Sequence, residues 1–226
     1  MDLKIELTKL YSLHCATIKF EHGIKELNNP RSLWQDFAPT RFIYAFFTFN
    51  SIYSIDWKNS FENNKVLYWE PDYENRYPKE EDQIKNYLGF INEKLSDNIV
   101  NLFQTILKNY LDLFSIDNPQ YELKYINTTN ETKKIKNLRE QFPGKFNRLL
   151  TEKPEEINFL EISNVIYPYI YKVRCNLFHG SKTRIHLMDE NQQQRLLIYA
   201  ALIISGNEML FEFAEEIGWK KVRLLK

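Results

Sequence analysis

Apolar positions recur three and four residues apart through most of this chain, a period that predicts helices. Leu3, Leu7, Leu10, Leu13, Thr17 and Phe20 follow it, so the first helix runs from Leu3 to about Leu27, with Gly23 weakening its end. Asn28-Asn29-Pro30 reads as a turn. A second helix is expected from Pro39 to Trp57, with the proline in its first turn. That segment is apolar on nearly every side until Asn50, as a central buried helix would be. Its aromatic and β-branched residues also suit a strand; a length of about five turns decides for helix.

Residues 58–78 mix polar and aromatic positions without a period and read as one long loop insertion packed by Tyr68, Trp69 and Tyr73. Helical spacing resumes after Pro78 to Leu95, breaks at a Ser96-Asp97 cap, and continues to Phe114. Asp117-Asn118-Pro119 ends it, and Tyr121–Ile126 reads as a short strand. Glu131–Leu150 is basic and amphipathic, with an interruption expected at Pro143-Gly144. Pro154–His179 and Asp189–Ile217 are two further helices. In the last, Ala200, Ala201, Ser205 and Gly206 leave room for a neighbouring helix to approach closely. The expected architecture is an all-α bundle in one domain, residues 1–226, carrying an aromatic-rich loop insertion.

Composition narrows the class. Hydrophobic residues are 43% and aromatic residues 15%, which argues against disorder. Thirty basic and thirty acidic residues balance, so no net field draws in nucleic acid, although a local basic patch can still serve an RNA substrate. Two cysteines, Cys15 and Cys175, support neither a disulfide framework nor a cysteine-rich zinc site. The N-terminus lacks the apolar core of a signal peptide, and no apolar run approaches the ~18 residues of a membrane span. The expectation is a soluble cytoplasmic protein with no membrane partner.

Candidate chemistry gathers in YKVRCNLFHGSK, residues 171–182. On a regular helix, Ile162, Ile166, Tyr169, Ile170, Val173 and Leu177 form one apolar stripe, with Arg174 on one flank and Asn176 and His179 together on the other side. Arg174 and His179 are five residues apart, so their directions differ by about 140°. To act on one phosphate they need a reaching arginine, a helix that unwinds at His179-Gly180, or a second copy of the chain. Gly180 suits a left-handed helix stop, and a histidinium in the last turn is favoured by the helix dipole. The same residues also fit a plain reading, in which histidine caps the helix and arginine makes a surface ion pair.

The longer string resembles the signature of the HEPN superfamily, an all-α fold whose members carry Arg, four to six residues, then His. The likeness extends over Arg174, Asn176, Leu177-Phe178, His179, Gly180 and Lys182. Residues 42–53, FIYAFFTFNSIY, are similar to an aromatic helix ending in a Phe-Asn pair found in several HEPN proteins of this size. The resemblance implies a metal-independent endoribonuclease that needs no cofactor, a homodimer whose two Arg/His motifs share one cleft, and a toxin or defence role with an antitoxin or regulatory partner. It assigns Arg174 to the scissile phosphate and His179 to general acid or base catalysis, with the RNA 2′-OH as nucleophile. Asn176 is assigned to hydrogen-bond His179 or the phosphate. Many active members have a polar residue directly after the arginine, where this chain has Cys175.

Asn50 ends the apolar run and is either a helix-packing hydrogen bond or a residue lining the site. Lys182, Arg184 and His186 follow the motif and are candidates to track an RNA backbone. Lys133, Lys134 and Lys136 read as a solvated helix face, and His14 and His22 as surface or packed residues. An alternative from another class is a non-catalytic HEPN-like module that holds a nucleotide or a protein partner.

Overall fold

The computed structural model describes residues 1–26, 31–74, 76–117, 119, 132–178 and 189–221, the side chains at 19–26, 31–37 and 178 excepted. Among these residues there is no strand, only two isolated bridges, and the architecture is all-α. We number the helices α1 (Leu3–Glu26), α2 (Arg31–Tyr53), α3 (Trp57–Glu62), α4 (Glu80–Leu95), α5 (Ile99–Leu113), α6 (Lys133–Thr151), α7 (Phe159–Phe178) and α8 (Glu190–Glu216). The turn expected at 28–30, the strand expected at 121–126, and the end of the motif from His179 onward lie outside the described residues.

Helix α8 is the centre. Asp189 caps it by accepting a 3.0 Å hydrogen bond from the Gln192 amide. Its most extensive contact is with α2, and it also packs on α5, α4 and α1. The small residues expected to admit a neighbour do so at Gly206, where a Cβ would stand 2.3 Å from the Tyr167 hydroxyl of α7. By length and hydropathy α8 is apolar enough to cross a membrane, contrary to the expectation that no segment is, yet 83% of its most apolar window is buried inside the fold.

In α1 the buried stripe is Leu3, Leu7, Leu10, His14 and Thr17, and Leu13 is 39% exposed. The expected stripe was therefore wrong by one position. The buried histidine replaces the leucine because it finds a carboxylate on α8, described below.

Helix α2 starts earlier than expected and contains Pro39 in its interior. It ends at Tyr53, short of Trp57, because Asp56 begins α3 by accepting from the Asn59 amide at 3.2 Å. Two indoles then satisfy carbonyls at the end of α2: Trp57 donates to the Ile52 oxygen and Trp69 to the Tyr53 oxygen, each at 2.8 Å. The segment expected as a loop at 58–78 thus opens as helix α3, and bridges Asp2–Lys65 and Ile55–Tyr68 pin its return. Trp69 packs as expected; Tyr68 and Tyr73 do not, and Tyr73 is 91% exposed.

Between α4 and α5 the chain turns through Ser96, whose φ of 47° is left-handed. Thr132 caps α6, which runs through Pro143 without the expected interruption. A proline in a helix interior costs about 3 kcal/mol, but the buried Phe142 and Phe146 beside it return about 1.5–3 kcal/mol each. Helix α7 starts at Phe159, after a short 3-10 turn at Pro154–Glu156, and packs chiefly on α6 and α4.

Candidate functional site

Arg174 sits on the flank of α7 that faces α2. Its guanidinium carbon is 5.3 Å from the centroid of the buried Phe46 ring, a cation–π distance. Its Nη1 approaches the Cys175 sulfur at 4.0 Å. Phe46 belongs to the aromatic stretch of α2, so the two helices singled out in the sequence meet here.

One turn further along α2 is Asn50, half-buried, whose Oδ1 lies 2.5 Å from the Tyr53 hydroxyl. The same hydroxyl is 3.3 Å from Glu80 Oε1. Glu80, the first residue of α4, accepts a second phenol through Oε2, from Tyr171 of α7 at 2.5 Å. One carboxylate at a helix N-terminus, where the dipole favours negative charge, therefore ties α2 to α7. Burial, and then the negative charge of Glu80, push the Tyr53 hydroxyl well above the ordinary phenol range, while Arg174 pulls against them. Burial, the hydrogen bond to Glu80 and one to Cys175 raise Tyr171 likewise. Both phenols keep their protons and act as donors.

Glu81 continues the cluster. It accepts from Lys172 of α7 at 2.7 Å and from Lys134 of α6. Burial alone would raise its carboxyl; the two lysines outweigh that and hold it below the usual range. Lys172 Nζ also stands 4.9 Å from the Tyr171 ring. Three helices thus converge on the first two residues of α4.

Of the residues expected in the site, Arg174 and Asn50 lie in this one patch, on either side of Phe46 and the two phenols. Asn176 is exposed, about 200° around α7 from Arg174, and does not join them. His179, Lys182 and Arg184 lie outside the described residues. Sequence reasoning missed Glu80, Tyr53, Tyr171 and the Glu81 ion pairs. The available signal was local: Tyr171 is three residues before Arg174, on the same helix flank. Glu80 read only as an acidic helix start.

A second polar cluster lies elsewhere. His14 is fully buried, and its Nε2 is 2.8 Å from Glu208 Oε1, which also accepts from the Tyr110 hydroxyl at 3.0 Å. Lys221 is 4.0 Å from the other Glu208 oxygen. Burial would raise the Glu208 carboxyl, but His14, Lys221 and Tyr110 together hold it below its usual value. The rings of Tyr11 and Phe211 lie against His14, so this group fastens α1 to α8 from inside. Among the described residues no group of three His, Cys, Asp or Glu side chains is arranged to hold a metal ion.

Compared with models of known families, with characterised proteins and with solved structures, the chain gives no match.

Proposed function

We propose that this protein is a metal-independent endoribonuclease of the HEPN type, active as a homodimer in the cytoplasm and serving as a toxin or defence factor under an antitoxin or regulatory partner. The observation that carries the reading is the sequence string Val173–Lys182, whose first six residues close α7, with Arg174 seated on Phe46 of the aromatic helix. In the proposed reaction the guanidinium pairs with the scissile phosphate and offsets charge that builds on its oxygens. The RNA 2′-oxygen attacks phosphorus and loses its proton to a base. The bond from phosphorus to the 5′-oxygen breaks, and that oxygen takes a proton from an acid. The products are a cyclic phosphate end and a free 5′-hydroxyl end. His179 supplies one of these proton transfers, its ordinary pKa lying near working pH. The second is supplied by the other copy's motif, in keeping with the angle of about 140° that a five-residue spacing spans on an ideal helix.

The test is RNA cleavage by the purified protein in EDTA. Cleavage is expected in wild type and abolished in His179→Ala; cleavage that needs a metal, or that survives in this variant, overturns the reading. A non-catalytic module that holds a nucleotide is the second reading, favoured by Cys175 following the arginine. It predicts ribonucleotide binding that depends on Arg174 with no cleavage at all.

A further inference from the structure

The first turns of α6 border an open surface groove of about 620 Å³, lined by Lys133, Lys134, Lys136, Asn137 and Glu140. Read from sequence alone these lysines are a solvated helix face. Their surroundings give them a direction. Lys134 reaches from this groove to Glu81, Lys172 holds the same carboxylate from α7, and Lys172 leans on the ring of Tyr171, one turn from Arg174. Two cations share one carboxylate there, beside the Glu80 carboxylate that Tyr171 bonds. In the groove itself Lys133 is exposed, and Lys136 meets Glu140 only at 3.9 Å with both side chains more than half in water. Such a pair is held weakly and exchanges readily for a stronger anion.

We propose that this line of lysines, from Lys172 through Lys134 to Lys133 and Lys136, is a track for the phosphodiester backbone of single-stranded RNA leading away from Arg174. The inference rests on the ribonuclease reading and adds that the substrate is a strand several nucleotides long, gripped on the side of the cluster where α6 begins. Lysine suits the task as a mobile point charge that neutralises phosphate without reading bases. Glu81 keeps Lys134 and Lys172 side by side, and this pair joins the groove to the Arg174 patch.

The test measures binding of a fluorescent 12-nucleotide single-stranded RNA with 2′-O-methyl groups throughout, which has no nucleophile and cannot be cleaved by this chemistry. Dissociation constants are taken across a salt series for wild type, Lys133→Ala/Lys136→Ala, and the control Lys94→Ala. Each lost phosphate contact on a single strand reduces the steepness of log K against log salt by about 0.7, so the double variant is expected to lose about 1.4. Its affinity then falls roughly sevenfold less than that of wild type between about 50 and 200 mM salt. The control is expected to match wild type. Equal slopes for the double variant and wild type overturn the track, as does preferential binding of a poly-glutamate peptide, which makes the occupant an acidic protein segment. Failure of wild type to cleave unmodified RNA defeats the ribonuclease reading separately, because the binding measurement does not depend on cleavage.

Discussion

Gly206→Ala is expected to destabilise the protein, although alanine is the better helix former by about 1 kcal/mol. The added Cβ would lie 2.3 Å from the Tyr167 hydroxyl and 3.0 Å from its Cζ. Tyr167 cannot easily retreat. It is fully buried, its ring lies 5.3 Å from that of Phe49, and its hydroxyl donates to the Leu202 carbonyl at 2.9 Å. On the other side of the glycine, its carbonyl accepts from the Tyr87 hydroxyl at 2.6 Å, so the α8 backbone is also fixed. Overpacking a core costs about 1–3 kcal/mol, and forcing a buried hydroxyl off its acceptor adds about 1–3. After the gain in helix propensity the net loss is about 3 kcal/mol. Urea unfolding is the assay, read as a lower midpoint at unchanged slope; for a chain of this size the loss corresponds to a melting shift of about 6–12 °C. Tyr167→Phe removes the clashing oxygen, so the glycine substitution made on that background is expected to cost at least 1 kcal/mol less. A neutral or stabilising Gly206→Ala, or the same cost on both backgrounds, would refute the reasoning. The outcome bears on the site, because Tyr167 is two turns before Arg174 on α7 and fixes how deeply that helix sits.

Three further outcomes are expected. Arg174→Lys keeps the charge but loses the planar group over Phe46 and bidentate phosphate contact, so on the proposed reading RNA cleavage in EDTA drops about 100-fold or more while the urea midpoint stays near wild type. Glu80→Ala takes the carboxylate acceptor from the Tyr171 phenol, while Tyr53 keeps Asn50, and costs about 1–3 kcal/mol in urea unfolding, with Glu80→Gln recovering part of it. Glu208 binds its proton less readily folded than unfolded; the stability this contributes is present above the unfolded carboxylate value of about 4.3 and is lost as pH falls through the lower folded value, so Glu208→Gln flattens the fall in stability between about pH 5 and 3, measured by urea unfolding at each pH.

The long helices were legible because each satisfies its own backbone and shows its buried face at a 3.6-residue period. Leu3, Leu7 and Leu10, or Ile99, Phe103 and Leu107, announce themselves whatever packs on them. What was not legible depended on partners distant in sequence. Nothing local marks His14 rather than Leu13 as buried, since the carboxylate that makes its burial tolerable is 194 residues away. Pro143 reads locally as a breaker, yet the helix runs through it with the Phe142 ring against Tyr169 of α7 and Tyr199 of α8. Arg174 and Asn50 were visible as polar residues at the ends of apolar runs. Glu80, which stands between them, is 27 residues from Tyr53 and 91 from Tyr171, and its role exists only once α2, α4 and α7 have packed.

That dependence constrains how the site can work. Tyr167 and Ile170 fix the inner face of α7 in the core, and Tyr171 is tied to α4, which leaves Arg174 little freedom to swing around its own helix toward the side that carries Asn176. On the proposed reading the phosphate must therefore come to Arg174 on the α2 and α4 flank. The proton transfer assigned to His179 then has to be brought there from beyond Phe178 or from a second chain. A single folded copy with Arg174 as the sole cation on that phosphate would bind RNA and cut it poorly. Dilution below the dimer dissociation constant is then expected to remove cleavage before it removes binding along the lysine track, and parallel loss of both on dilution would count against a shared site.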